Sequence, residues 1–358
     1  MITSPGYSIL LLFSTQPFHD DFVKGIESIL FPVDICRLWE YNRLMELSRK
    51  KIEKFNRKPY TAAILLIFML FVTGCGNKPN PESRDDYVKG IQEWRQKRLE
   101  RLKTPDSWLS LAGLYWLEPG GNTFGTDEKN DFVVHKEGLP GCIGTFFLND
   151  GTVSFRACSG ADVSQGSRMV SEIQMDDDSG GYPTVLRLKS LSWYIIRRGD
   201  RLGVRLKDSQ HPRIHQLRKI DAFPIDQAWR IRARLEKFQE PRTIDVPTVL
   251  GTIESQPCPG ALVFQVHDRT YRLYPTAEDG NLFVVFGDET NTRETYGGGR
   301  FLLIEKPDQN GEAWLDFNMA VNPPCVFSPY ATCPLPPESN RLPLRVTAGE
   351  KMVRGLGH

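Results

Sequence analysis

From residue 83 onward, apolar positions fall first at helical spacing and then at alternate places. Val88, Ile91, Leu99 and Leu102 lie on one stripe with Trp94 beside it, the three-and-four repeat of an amphipathic helix. Ser83-Arg-Asp-Asp86 opens that helix as a capping box. Thr104-Pro105 ends it near Lys103, because the residue before a proline avoids the helical region. The basic run Arg95 to Arg101 reads as its solvated face.

Short strands and turns follow. Phe146 to Phe155 predicts a hairpin turning at Asp150-Gly151, and Tyr194 to Leu206 one turning at Gly199. Ala261–Val266 pairs with Thr270–Tyr274, and Leu282–Phe286, Phe301–Ile304 and Trp314–Phe317 continue the texture. Strands at this spacing predict sandwiches or barrels, and the lack of strand-helix alternation argues against a doubly wound sheet. The expected fold is mainly β: two β-rich, sandwich- or barrel-like subdomains preceded by one amphipathic helix. Pro212, Pro224 and Pro241 punctuate a polar boundary that includes a short helix over Gln227 to Gln239. The subdomains are therefore drawn at 106–211 and 212–358. The first is similar in architecture alone to forkhead-associated domains, a likeness that implies no phosphopeptide binding.

Ahead of the helix, the chain carries an address. Thr61 to Gly74 is an uninterrupted run of fourteen apolar or small residues, too short to span a bilayer and the right length for the core of a secretory signal. Arg49, Lys50, Lys51, Lys54, Arg57 and Lys58 precede it. Val72-Thr73-Gly74-Cys75 directly after it resembles a bacterial lipobox, which implies that Cys75 is lipidated and becomes the mature N-terminus. On this reading Met45 is the start, 1–44 a spurious extension, 45–75 a lipoprotein signal peptide, and 76–105 a polar tether plus the helix. The expected location is the cell envelope, outside the cytoplasm, with the membrane as a partner through the lipid.

Formal charge is +1 over 358 residues. Such a balance gives no basic surface for nucleic acid, so no nucleic-acid partner is expected. The chain lacks G-x-S-x-G, a phosphate loop, H-E-x-x-H and C-x-x-C, which counts against the common hydrolase and nucleotide classes. Nothing specifies a cofactor. His211-Pro-Arg-Ile-His215 has ligand-like spacing, but Pro212 makes it a loop or first turn, and the expectation is no metal. Asp176-Asp-Asp-Ser-Gly-Gly181 reads as a solvated turn. Trp108, Tyr115 and Trp116 read as core aromatics. Beyond Cys36 and Cys75, five cysteines remain, an odd number that leaves at least one thiol free.

The candidate chemistry lies near the C-terminus. Asp288, Glu294, Tyr296 and Arg300 flank the glycines Gly297, Gly298 and Gly299. A loop that pliable can bring N–H groups to an anion while Arg300 supplies a bidentate grip, or Arg300 and Asp288 can form a structural ion pair. Asp316 and Asn318, two apart on an expected strand, face one side. Asn322-Pro-Pro-Cys325 and Cys333-Pro-Leu-Pro-Pro337 are stiffened by proline. Cys325 and Cys333 are a disulfide, a nucleophile with a second thiol, or two metal ligands.

In order, Tyr296 to Arg300, Asp316-Phe-Asn318, Asn322-Pro-Pro-Cys325, Cys333 to Pro337 and Asn340-Arg-Leu342 resemble the signature of the bacterial and archaeal family known as domain of unknown function 1684. Trp108 to Gly125 resembles its beginning, so the resemblance runs from Arg98 to Lys351. Val321 departs from it, standing where a tyrosine is expected. The resemblance implies relatives but no reaction. Two functions stay open. One is a lipid-anchored module that binds a small polar or anionic ligand through Arg300, Asn318, Asn322, Asn340 and Arg341. The other is an envelope hydrolase or transferase with Asp288 or Glu294 as acid/base, Arg300 as anion clamp, and Tyr296, Asp316 and Cys325 as further catalytic candidates.

Overall fold

The structure, a computed structural model, describes residues 83–278 and 280–355. Cys75, the expected leader and most of the expected tether lie outside the described residues. Backbone proximity divides the chain between Asp86 and Tyr87. In the first unit, the Ser83 hydroxyl accepts from the Asp86 amide at 3.1 Å and donates to its carboxylate at 2.7 Å. This is the reciprocal cap read from the sequence.

The fold is mainly β, with one long helix, Arg84–Leu102, ahead of the sheets. That helix buries Tyr87, Ile91 and Leu102. Tyr87 was not on the expected stripe.

Two sheets share the first core. A six-stranded sheet runs in spatial order Leu111–Trp116, Arg201–Asp208, Leu191–Arg198, Leu186–Leu188, Ser164–Gln165 and Arg168–Met169. A five-stranded sheet runs Phe132–Val133, Gly120–Gly125, Gly144–Asn149, Thr152–Ala157 and Glu172–Met175. Alternate residues point inward from each: Trp193, Ile195, Val204 and Leu206 from the first, Phe124, Phe146, Val153 and Phe155 from the second. Trp193 meets Phe124 and Phe155 at ring-centroid separations of 5.3 and 5.6 Å. The predicted hairpins turn where expected. Asp150 and Gly151 both have positive φ, 48° and 75°, as a two-residue turn requires, and Gly199 has φ 57°.

The second core lies under two further sheets. One runs Arg269–Leu273, Ile253–Val266, Arg230–Pro247 and Glu312–Asp316, the other Thr276–Glu278, Asn281–Phe286 and Arg300–Ile304. The helix expected over Gln227 to Gln239 is not there. Gln227–Trp229 is one turn, and Arg230–Pro247 is an eighteen-residue strand. Period decides this: Ala233 and Leu235 point into the core while Arg232, Arg234 and Glu236 face solvent, an alternation of two that no helix face can accommodate. Among the described residues, no helix is long and apolar enough to cross a membrane.

Trp193→Ala should destabilise the fold by about 3–5 kcal/mol in urea unfolding. Trp193→Phe should cost clearly less, because it also removes a buried indole N–H that has no partner.

Candidate functional site

Asp288 follows the strand Asn281–Phe286, and Arg300 opens the strand paired with it. Arg300 Nη2 donates to Asp288 Oδ2 at 2.7 Å, and both side chains have 0% exposure. Arg300 also donates to the carbonyls of Val346 and Ala348. Asp288 Oδ1 accepts from the Thr290 amide at 2.8 Å and the Val346 amide at 3.3 Å. Burial pulls the Arg300 pKa down and the Asp288 charge opposes that shift. Of the two expectations for this arginine, the structure has the ion pair. With its charge answered by Asp288 inside the protein, Arg300 is not available to clamp an anion.

The glycine loop is closed as well. Gly299 has φ +82°, and a Cβ there would lie 2.4 Å from Pro336 Cγ and 2.5 Å from the Phe286 carbonyl. Its freedom therefore lets the proline-rich loop pack against the strand, where an open cradle for a ligand was expected.

Asp316 and Asn318 do meet, but not through strand parity. The strand stops at Asp316, whose carboxylate caps the turn Phe317–Met319 by accepting from the Asn318 amide at 3.0 Å. Tyr87 from the helix donates its phenol to both Asp316 oxygens at 2.9 and 3.0 Å. Asn318 Nδ2 donates to the Tyr87 oxygen and to the Asp226 carbonyl at 2.9 and 2.8 Å. Burial raises the Asp316 pKa, against the hydrogen bonds from Tyr87 and Asn318. It raises that of Tyr87 too, with the Asp316 charge adding to the effect.

Asn322 belongs to a third network. Its amide donates to Glu350 at 2.6 Å and its Nδ2 to the Lys351 carbonyl at 2.8 Å. Arg98, from the helix, ion-pairs with Glu350 and donates to the Asn322 carbonyl at 3.1 Å. Asn340 takes the part of a strand neighbour, donating to the carbonyls of Tyr274 and Val285 and accepting from the Tyr274 amide. Arg341 is exposed and 3.4 Å from Glu338, while Glu294 pairs with Arg345 at the surface. Tyr296 is half-buried, and burial raises its pKa.

Cys325 and Cys333 form a disulfide with Cα atoms 6.2 Å apart, which leaves neither as a thiol nucleophile or metal ligand. A second disulfide joins Cys142 and Cys158, and Cys258 is the free cysteine among the described residues. His211 caps the short helix Pro212–Gln216 through its ring nitrogen. Asp177 and Asp178, expected in a solvated turn, instead pair with Arg197 and Arg198 at 2.8 and 2.9 Å. Two surface concavities of about 390 and 500 Å³ are lined by residues between Lys136 and Gln210, and none of the sequence-predicted site residues borders either.

Residues 215–351 match the model of a family described as Protein of unknown function (DUF1684). Over that segment the chain belongs to DUF1684. The match begins later than the resemblance read from Trp108 to Gly125. An uncharacterized protein of Haloarcula marismortui, solved in solution, is 31% identical, covering 38% of this chain and 78% of its own, with a TM-score of 0.33. A chain from a structural and functional analysis of phosphothreonine-dependent FHA domain interactions is 14% identical, covering 26% of this chain and 92% of its own, with a TM-score of 0.19. At those TM-scores neither likeness bears on the fold. No curated protein matches. Within the DUF1684 segment, the polar signature is divided among closed networks. Tyr87 and Arg98, the helix residues that complete two of them, lie outside the segment and 224 to 252 positions from their partners. No local spacing could have signalled them.

Asp288→Asn should cost about 3–5 kcal/mol by leaving Arg300 buried without its counter-charge. Arg300→Lys should lose stability in the absence of any ligand, read as a lowered melting temperature. Because Asp316 holds its proton to higher pH folded than at its ordinary 3.8, it adds stability at low pH that is lost as pH rises through the raised value. Denaturant titrations across that window should show stability falling with pH in the wild type. The fall should flatten in Asp316→Asn.

Proposed function

We propose that the protein is a binding module, tethered to the bacterial cell envelope by a lipid on Cys75, rather than an acid–base enzyme working at its C-terminal cluster. One observation carries this reading: Asp288, Arg300 and Asp316, three of the groups that could have done the chemistry, are held by partners inside the protein, and Glu294 pairs with Arg345 at the surface. Asp288 neutralises Arg300, Glu350 neutralises Arg98, and Asp316 is held by Tyr87 and Asn318. A general base must reach a substrate proton. Asp288, with no exposed side-chain surface and already in a charge-assisted bond, is built to hold a frame. The ligand of such a module is a small polar or anionic molecule, met elsewhere on the surface.

The tether is supported by the order of charges, apolar run and Val72-Thr73-Gly74-Cys75. Multiple acyl chains on one cysteine give stable anchoring where a single chain is marginal.

Expressed with its leader in a bacterial host, the protein should fractionate with membranes and incorporate labelled fatty acid. Cys75→Ser should move it to the soluble fraction and abolish the label. Label that persists in the variant would remove the anchor from this account.

A further inference from the structure

Among the described residues, the buried arginines differ in how many partners answer them. Arg300 is answered by Asp288 and two carbonyls. Arg98 has Glu350 and the Asn322 carbonyl, and Arg213 donates to the carbonyls of Leu111 and Phe327. Arg205, only 3% exposed, has a single neutral partner, the Thr332 hydroxyl at 2.9 Å from Nη2. Its Nε is buried with no partner, as is that of Arg300, but Arg300 has a carboxylate and two carbonyls on its other nitrogens and Arg205 has one hydroxyl. Nε and Nη2 form the edge with which a guanidinium grips a carboxylate or phosphate at two points. One of those two donors is idle and the other meets an uncharged oxygen.

The surroundings add positive charge. Strand alternation places Arg198, Arg201, Arg205 and Lys207 on the face of the six-stranded sheet that points away from its core, with Tyr194 and Trp116 between them. Arg198 Nε donates to the same Thr332 hydroxyl at 3.0 Å, so two guanidinium groups converge on one neutral oxygen. Among the described residues, the carboxylate that ion-pairs with any of these four cations is Asp178, on Arg198. Gly203 lets the Trp116 ring lie over the strand, where a Cβ would come within 2.9 Å of it, and Arg201 stacks on that ring at 4.0 Å.

The convergence point is both open and fixed. Thr332 and Arg198 are partly exposed. Thr332 sits in a loop closed by the Cys325–Cys333 disulfide and packed through Ala331 and Cys333 on Leu111.

We propose that Arg198, Arg205 and Thr332 form a binding site for a small oxyanion of the phosphate or sulfate class, free or carried on a larger molecule. The oxyanion bridges the two guanidinium groups beside the Thr332 hydroxyl on which both converge. This rests on the binding reading given above and names its ligand class and its place, outside the DUF1684 segment except for Thr332.

The test uses the full chain with its leader, extracted in detergent, melted at rising inorganic phosphate with ionic strength held constant by chloride. The wild-type midpoint should rise and saturate. Arg205→Lys and Arg198→Lys keep the charge but lose the planar fork, and should raise the half-saturating phosphate about tenfold. Arg156→Lys, at an exposed pair with Glu172 on the other sheet, should behave as wild type. Glycerol phosphate run in parallel separates the two sources: saturation at lower concentration than inorganic phosphate means the group is carried on a larger molecule, and the reverse order means the free ion. A rise that is linear, unsaturated and equal in every variant is general salt exclusion and overturns the site, as does no rise. Should Arg205→Lys fail to fold, Arg198→Lys alone carries the comparison. Failure here leaves the Cys75 fractionation untouched, so loss of the site and loss of the tethered module are told apart.

Discussion

The ion pair between Asp288 and Arg300 is the constraint from which the second half of the molecule is hung. Its two members come from neighbouring strands, yet the spare donors of Arg300 hold the Val346 and Ala348 carbonyls, so the pair fixes the course of the C-terminal segment. Two residues beyond Ala348, Glu350 is thereby set to receive the Asn322 amide and the Arg98 guanidinium. A buried pair of this kind is weak evidence for net stability, since desolvation offsets much of the attraction. Its value lies in register: the segment can follow no other path without leaving a charge bare.

The two halves handle charge in opposite ways. Around residues 288–350, Asp288 answers Arg300 and Glu350 answers Arg98 inside the protein. On the outer face of the six-stranded sheet, arginines gather with one carboxylate among them. Polar density in a sequence therefore does not separate a frame from a site. The useful quantity is the charge left over after internal pairing, and this needs three-dimensional neighbours.

That explains which features could be read in advance. The helix cap, the hairpins at Asp150-Gly151 and Gly199, and the mainly β character arise from residues a few positions apart, whose preferences act locally. The strand Arg230–Pro247 was legible too, through Arg-Ile-Arg-Ala-Arg-Leu, but its polar content and flanking prolines outweighed the alternation. The site was harder. Asp288, Arg300, Asp316 and Asn318 stood out correctly as unusual, yet whether they face a ligand or one another turned on Tyr87, Arg98 and Glu350. Arg205 gave no signal, because an arginine at an alternate strand position normally faces water.

The helix Arg84–Leu102 comes first in the described body, and its polar partners come last. Arg98 and Glu350 are 252 residues apart. At roughly 5–20 residues per second, a ribosome needs on the order of 10–50 seconds to make the stretch between them. Throughout that interval Arg98 has no counter-ion and Tyr87 no carboxylate, so the helix has nothing to dock against by those bonds. The β halves can collapse as they emerge, and the helix can pack on Leu109, Ile214 and Leu217, but its polar contacts are complete only after residue 350 exists. Synthesis thus runs away from the helix, while completion of the fold runs back toward it.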